Sequence, residues 1–208
     1  MPRYQYVPLD LNKSSIRLVR VLPARNRKEP IYCEIFRCTL RADASEVYEA
    51  LSWVWGDPEV TEEIFVIDAH NASAPAYTLP VTTNLCAALR EIREVPGMGL
   101  LWVDAICIDQ ANLRERGHQV QRMLDIYQLA QRVRIWLGPE IEGTGGSLDK
   151  IVHKLSTGLY TSKASVKKFT PYLRRPWFRR IWVSYHITIY HSNSLSNRLQ
   201  DHSRSSCW

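Results

Sequence analysis

The run Leu100-Leu-Trp-Val-Asp-Ala-Ile-Cys-Ile108 decides the fold class of this chain. It is apolar throughout except for Asp104, a pattern typical of a strand that is buried on both faces. Residues 112–131 are then predicted to form a helix, and Val133-Arg-Ile-Trp-Leu137 returns as another strand before Gly138-Pro139. A strand, a helix and a strand in this order predict a parallel sheet that is covered by helices.

The predicted helix over 112–131 carries an apolar stripe for packing on that sheet, and Glu115 lies mostly outside it. The stripe consists of Val120, Met123, Leu124, Tyr127 and Ala130.

The segments before this unit extend the pattern toward the N-terminus. Segments 16–22 and 31–40 are rich in β-branched and aromatic residues and predict a hairpin. Residues 47–55, which end at Gly56-Asp57-Pro58, and residues 63–68 predict two further strands. A helix capped by a threonine is predicted to follow, with Leu85, Leu89 and Ile92 at helical spacing. The predicted fold is therefore α/β, a mainly parallel sheet flanked by helices with an N-terminal β-hairpin.

Composition limits the classes of protein to which the chain can belong. With 208 residues, of which 45% are hydrophobic and 23% charged, it can bury a core, which excludes disordered and collagen-like chains. No segment reaches the roughly 18 consecutive apolar residues of a membrane helix, and the N-terminus lacks an apolar signal core. We therefore expect a cytoplasmic protein with no membrane partner. The five cysteines, an odd and scattered set, predict reduced thiols and no metal site.

The net charge of +6 comes from the C-terminal part of the chain. Residues 1–149 hold 16 Lys/Arg against 20 Asp/Glu, whereas residues 150–200 hold ten Lys/Arg and no acidic residue. Basic and aromatic residues over 163–180 could bind phosphates and stack on bases. We favour a solvated face over nucleic-acid binding, because no recognition-helix or zinc-finger spacing accompanies the charge.

Polar residues at the end of the central predicted strand are the candidates for a site. Asp104 is an acid within an apolar run, and Asp109-Gln110 follows that run directly. Ligands of open α/β sheets bind at the carboxyl ends of strands, so these residues predict a cluster beside Trp55-Gly56-Asp57. The alternative is structural: Asp109 caps the next helix, and Asp104 pairs with an arginine such as Arg116 or Arg180.

Arg116 and Gln119 lie at the start of the predicted helix. Either they face the predicted cluster at the strand ends, or they only stabilise the turn. Common catalytic motifs such as glycine-rich phosphate loops, zinc-protease helices and nucleophile elbows are not found in the sequence. Cys107 lies among apolar neighbours, where a thiol is normally inert.

Four groups of motifs follow one another along the chain. They are Tyr48-Glu-Ala-Leu-Ser-Trp-Val-Trp-Gly-Asp57; Leu79-Pro-Val-Thr-Thr-Asn-Leu85; Leu101-Trp-Val-Asp-Ala-Ile-Cys-Ile-Asp-Gln110 with Glu115-Arg116, Gln119-Val120, Met123, Ile126-Tyr127 and Val133-Arg-Ile-Trp-Leu-Gly138; and Arg175-Pro-Trp-Phe-Arg-Arg-Ile-Trp-Val183. Together they cover about residues 45–183 and, in this order, resemble the heterokaryon-incompatibility (HET) domain of filamentous fungi.

The resemblance implies a role in nonself recognition and triggered cell death, with a fold like that of Toll/interleukin-receptor (TIR) domains. It also implies protein partners, including homotypic assembly with other HET or TIR-like domains. Residues expected to bind a ligand are Ser52, Trp55, Gly56, Asp57, Asp104, Asp109, Gln110, Arg116, Gln119, Arg180 and Trp182.

Some TIR-like domains cleave the glycosidic bond of NAD with a glutamate four residues after a tryptophan, so the resemblance makes NAD a candidate substrate. A carboxylate there would stabilise the oxocarbenium-like transition state. In this chain His186 stands four residues after Trp182, where the family usually has glutamate, and a histidine cannot supply a fixed negative charge. The alternatives are an NAD hydrolase that uses Asp104, Asp109 and Arg116, and a non-catalytic interaction module.

The match ends abruptly after Trp182 and Val183. Val183-Ser184 can be encoded by GTAAGT, a common start of an intron, and the polar, serine-rich tail resembles nothing in the family. We expect the tail to be translated intron or a shifted frame; a genuine divergent tail is the alternative. The predicted organisation is an N-terminal β-hairpin extension over 1–44, an incomplete HET domain over 45–183 and a disordered tail over 184–208.

Overall fold

The fold is built on one mixed β-sheet, seen in a computed structural model that describes residues 1–41, 47–68, 71, 74–94, 99–139, 171 and 174–179. The strands of these residues are β1 (Ser15–Val21), β2 (Tyr32–Thr39), β3 (Tyr48–Ser52), β4 (Thr61–Val66), β5 (Tyr77–Thr82), β6 (Leu100–Trp102) and β7 (Arg132–Ile135). Their helices are α1 (Thr83–Ile92), α2 (Asp104–Cys107), α3 (Leu113–Gln121), α4 (Met123–Leu129) and a 3₁₀ turn at Pro176–Arg179.

The seven strands lie in the order β5-β4-β2-β1-β6-β3-β7. Strands β2, β4, β6, β3 and β7 run in one direction, while β1 and β5 run against them. The predicted α/β class, with a mainly parallel sheet, is therefore confirmed. Because five strands share a direction, their carboxyl ends lie along one edge of the sheet.

The predicted N-terminal hairpin is confirmed, and it belongs to the same sheet. Strands β1 and β2 pair from Ser15↔Thr39 to Val21↔Cys33. Val19 of β1 pairs with Leu101 of β6, which joins the hairpin to the parallel strands. Four apolar residues of β1 are buried, so the hairpin contributes directly to the core.

The apolar run 100–108 forms a strand over only its first three residues. Asp104, expected inside the strand, lies instead in the first turn of α2, after the extended residue Val103. Ile106, Cys107 and Ile108 remain buried. The prediction of a nine-residue strand was wrong because a buried apolar run is compatible with either a strand or a helix.

The helix predicted over 112–131 is two helices, because the backbone of Arg122 leaves the helical conformation between α3 and α4. Tyr127 and Ala130 are buried as expected, but Val120 and Leu124 are exposed. Glu115, expected outside the apolar stripe, is buried. The stripe was wrong at these positions because the break changes the rotation between the two halves.

Strand β5 was not predicted, since it contains Pro80 and precedes a helix signal. It is the last strand of the sheet, where a residue without an amide hydrogen is tolerated. The N-terminal segment pairs with its outer side: the Tyr4 amide donates to the Thr78 carbonyl, and the Thr78 amide donates to the Pro2 carbonyl. The next helix begins as predicted, because the Thr82 hydroxyl accepts a hydrogen bond from the Leu85 amide.

The predictions for the last part of the chain lie outside the described residues. They concern Arg180, Trp182, His186, the tail over 184–208 and most of the basic cluster.

Candidate functional site

The predicted site forms at the carboxyl ends of three neighbouring parallel strands, β6, β3 and β7. We call this region, with the residues that follow the three strands, the carboxyl edge. Open α/β sheets bind their ligands at such an edge. The chain places Ser52 at the end of β3 with residues 53–56 directly after it, Asp104 after β6 and Trp136 after β7.

Asp104 is the centre of the carboxyl edge. Its Oδ1 accepts hydrogen bonds from Trp53 Nε1 at 2.8 Å and from the Ala105 amide at 2.9 Å. Its Oδ2 accepts a hydrogen bond from Trp55 Nε1 at 2.9 Å. The two indole rings stack with their centroids 5.9 Å apart and an angle of 11° between their planes. One carboxylate thus fixes two tryptophans that are adjacent in space.

These hydrogen bonds explain how the partly buried carboxylate of Asp104 is tolerated. Neutral N–H donors stabilise the charge of Asp104 in place of a cation, and hydrogen bonds to a charged acceptor are the stronger kind. Pairing with Arg116 was wrong, because the Arg116 guanidinium donates at 3.4 Å to the Gln110 carbonyl. Since both oxygens of Asp104 accept hydrogen bonds, the group serves to position the tryptophans.

Asn84, at the start of α1, joins the β3 loop to the end of β7. Its Nδ2 donates to the Val54 carbonyl at 2.5 Å, and its Oδ1 accepts from Trp136 Nε1 at 3.0 Å. Gly56 beside it has a φ of 75°. Asn84 was not predicted as a site residue. The feature of the sequence that could have indicated it is its position directly after the threonines at the start of the helix.

The last motif reaches the same edge through Trp177, which is buried. Its Nε1 donates to the Ser52 hydroxyl oxygen at 2.9 Å. Arg175 donates to the carbonyls of Leu137 and Pro139, each at 2.5 Å. A Cβ added to Gly138, where φ is 98°, would overlap the Arg175 guanidinium. The four motif groups therefore meet at the ends of β3 and β7.

We expect Gly138→Ala to lower the free energy of unfolding by about 2 kcal/mol or more, because the left-handed backbone and the Arg175 contact both disfavour a side chain. Gly117→Ala is the matched control. A Cβ at Gly117 meets nothing within 4 Å, and alanine is preferred in a helix, so this variant should gain up to about 1 kcal/mol. Urea unfolding of both variants tests the comparison, and equal effects would contradict it.

Asp109 and Gln110 stabilise the turn between α2 and α3. The Gln110 Nε2 donates to the Asp104 carbonyl at 2.9 Å, so Gln110 does lie beside the carboxyl edge. The Asp109 carboxylate accepts from the Ala111 amide at 3.1 Å. The residue that caps α3 is Asn112, which accepts from the Glu115 amide at 3.1 Å. The expectation that Asp109 caps this helix was therefore wrong.

Trp53, Trp55 and Asp104 together are called the tryptophan cluster below. Three other predicted site residues do not belong to it. The side chain of Arg116 is exposed. Gln119 is buried, and its Nε2 donates to the Ser15 carbonyl at 3.0 Å, at the start of β1. Asp57 is exposed and accepts from the Glu59 amide at 3.0 Å in a turn.

A buried ion pair that sequence reasoning missed supports the segment carrying Asp104 and Asp109. Arg17 and Glu115 form two hydrogen bonds, of 2.5 and 3.0 Å, and both side chains are almost fully buried. Arg17 also donates to the carbonyls of Cys107 at 3.1 Å and Val7 at 2.7 Å. The Asp109 amide donates to Glu115 at 2.9 Å.

The electrostatics of Glu115 follow from these contacts. Burial alone would raise the pKa of Glu115, but the hydrogen bonds from Arg17 and from backbone amides, with the charge of Arg17, hold the pKa below its usual value. The group is therefore ionised in the folded chain at neutral pH.

Cys33 and Cys107 are buried in the core of the described part of the chain. Burial raises the pKa of the Cys107 and Cys33 thiols to about 12, so neither is an activated nucleophile. Residues 1–41, 47–68, 74–94 and 99–139 contain no cluster of three or more His, Cys, Asp or Glu side chains placed to hold a metal ion. Nor does a helix within those ranges have the length and apolar character needed to cross a bilayer.

Comparison with known proteins identifies the family. The model of the family described as "Heterokaryon incompatibility protein (HET)" matches residues 48–184, more than half of the chain. The chain belongs to the heterokaryon incompatibility family. The four resembling motif groups are thereby confirmed as those of a HET domain.

A curated relative of this HET domain is "Heterokaryon incompatibility protein 6, OR allele" from Neurospora crassa. It is 35% identical over 153 residues, which is 71% of this chain and 22% of that protein. The chain therefore spans less than a quarter of the length of this relative. No solved structure gives a significant match.

Proposed function

We propose that this HET domain acts in the cytoplasm in heterokaryon incompatibility, where it takes part in nonself recognition and relays a signal for cell death. The observation that carries the proposal is the meeting of the four family motif groups at one edge of the sheet, in a chain similar to a Neurospora protein named for incompatibility. A cluster that unites distant motifs is best explained by a shared task at that edge.

We further propose that the domain acts through protein partners, including homotypic contacts with HET or TIR-like domains. The support is the state of Asp104, both of whose oxygens are engaged by the tryptophans and the Ala105 amide. A carboxylate held in this way is a poor candidate for a general base or nucleophile, because these hydrogen bonds occupy three of its roughly four acceptor positions. Trp55 and Trp136 are partly exposed at this edge, which suits binding of a partner, since aromatic residues are enriched at interfaces.

The test is controlled expression of the full-length protein in fungal hyphae, with the wild type compared to Asp104→Ala. We expect wild-type expression to kill hyphae and Asp104→Ala to reduce the killed fraction at least tenfold at equal protein level. Arg93→Met controls for a loss of stability that does not affect the carboxyl edge, and it should kill hyphae as the wild type does. The buried Arg93 guanidinium holds the carbonyls of Asn26, Arg27 and Pro30, so its loss destabilises the fold away from the carboxyl edge. Equal killing by all three proteins would refute the proposal.

Hydrolysis of NAD is the second candidate function, and the position of Asp104 at the carboxyl ends of parallel strands is the observation in its favour. Purified protein incubated with NAD separates the two functions. The interaction proposal expects no nicotinamide above the blank, even at high protein concentration. Nicotinamide release that is lost in Asp104→Ala would instead support the enzyme.

A further inference from the structure

A cleft of about 800 Å³ opens where β2 and β4 end, separately from the tryptophan cluster. Strand β1 lies between β2 and β6, and none of Trp53, Trp55 or Asp104 lines the cleft. Its volume falls in the range of about 300–1,000 Å³ that is usual for small-molecule sites. Strands β2 and β4 run in the same direction as β6, so the cleft lies at the carboxyl ends of parallel strands, where α/β sheets bind ligands.

The walls of the cleft suit a flat apolar molecule. The N-terminal segment contributes Tyr4 and the buried Leu9, and β5 contributes Tyr77. The rings of Tyr4 and Tyr77 have centroids 6.4 Å apart and meet at 73°. Ile35 and Val66 add aliphatic surface. Aromatic and aliphatic walls of this kind favour a planar ring by burial and by edge-to-face contact.

Among the charged side chains that the structure describes along the cleft, Arg37 is the cation without a partner. Arg17, at the back, is neutralised by Glu115. Lys13 lies 3.5 Å from the carboxylate of Asp10. Asp68, the other acidic residue of the described lining, takes part in an interaction of its own. Arg37 of β2 is exposed and has no hydrogen bond or ion pair to any residue in the described part of the chain.

We propose that this cleft binds a small planar aromatic molecule with one negative charge, an aryl carboxylate or sulfonate. Its ring lies against Tyr4 and Tyr77, and its anionic group forms a bidentate contact with the guanidinium of Arg37. This binding activity does not depend on the function proposed above, and it uses residues from the first half of the chain that belong to no motif of the carboxyl edge.

The probe for the test is 8-anilinonaphthalene-1-sulfonate, an aromatic monoanion with a flat naphthalene ring, whose fluorescence rises on binding. The full chain should bind it saturably at one site, and Arg37→Gln should weaken binding about tenfold or more, as expected for loss of a charge-assisted hydrogen bond. Arg114→Gln, which replaces an exposed arginine of α3 outside the cleft, should leave the affinity unchanged. Tyr77→Ala should also weaken binding, whereas Tyr32→Ala, at an exposed tyrosine of β2 outside the cleft, should not.

A neutral counterpart completes the test. N-phenyl-1-naphthylamine has the same rings without the sulfonate, and we expect it to bind more weakly and with no response to Arg37→Gln. Equal affinity of the two probes, equal affinity of Arg37→Gln and Arg114→Gln, or non-saturable binding would each overturn the proposal. Thermal melting of every variant identifies those that still fold, and loss of probe binding counts only for these.

Discussion

Glu115→Ala is expected to lower the free energy of unfolding by about 3–5 kcal/mol. The variant leaves the Arg17 guanidinium buried without its carboxylate, since the side chains of Arg17 and Glu115 are only 1% and 2% exposed. It also removes the acceptor of the Asp109 amide. Urea unfolding followed by far-ultraviolet circular dichroism measures the change.

The exposed ion pair between Asp10 and Lys13 provides the control. Because water screens such a pair, Asp10→Ala should cost less than about 1 kcal/mol. The double variant Arg17→Met with Glu115→Leu should recover much of the loss, since it leaves no unpaired buried charge. A cost for Glu115→Ala as small as that for Asp10→Ala would show that the buried pair is not structurally important.

Acid should remove the contribution of Glu115 in a defined direction. The pKa of Glu115 in the folded chain lies below its usual value of 4.5, so its stabilising effect is present above pH 4.5 and is lost as the pH falls through the folded-state pKa. Wild type should therefore lose stability relative to Glu115→Gln as the pH is lowered below 4.5. Other carboxylates, including Glu62, are common to both proteins and cancel in the difference. A difference that does not vary with pH would contradict this account.

Asp104→Ala is expected to lower the free energy of unfolding by about 3 kcal/mol. The change removes the shared acceptor of the Trp53 and Trp55 indoles and leaves the N–H of the buried Trp53 without this acceptor. The stacked rings should then separate, which shifts and weakens the near-ultraviolet circular dichroism of the tryptophans.

Asp109→Ala is the matched control for Asp104→Ala, because both replace an aspartate of the same segment. The Asp109 carboxylate accepts one hydrogen bond, from the exposed Ala111 amide, so its loss should cost less than about 1 kcal/mol. Similar costs for the two variants, or an unchanged near-ultraviolet spectrum in Asp104→Ala, would show that the carboxylate does not hold the tryptophans.

Local sequence patterns were sufficient to predict the N-terminal hairpin and the first helix. The hairpin of β1 and β2 and the apolar face of α1 follow from period and turn chemistry. The split of 100–108 into β6 and α2 could not be read in this way, because both conformations bury Ile106 and Cys107. The sequence contains no glycine or proline at Arg122 that would indicate the break between α3 and α4. A single helix was therefore predicted.

The candidate site was predictable in position and only partly in its contacts. The carboxyl ends of β3 and β6 placed Asp104 near Trp55. The sequence could not show that Asp104 accepts hydrogen bonds from two indoles, because the order of strands places strand ends together without fixing the direction of each side chain. Glu115 was also unpredictable, since its partner Arg17 lies 98 residues away.

The central claim is that Asp104 holds Trp53 and Trp55 together at the carboxyl edge. The most direct test is the ¹⁵N–¹H spectrum of the indole N–H groups in wild type and Asp104→Asn, with resonances assigned by single Trp→Phe variants. We predict that the resonances of Trp53 and Trp55 move, while those of Trp102 and Trp136 stay in place. Unchanged resonances at Trp53 and Trp55 would contradict the claim.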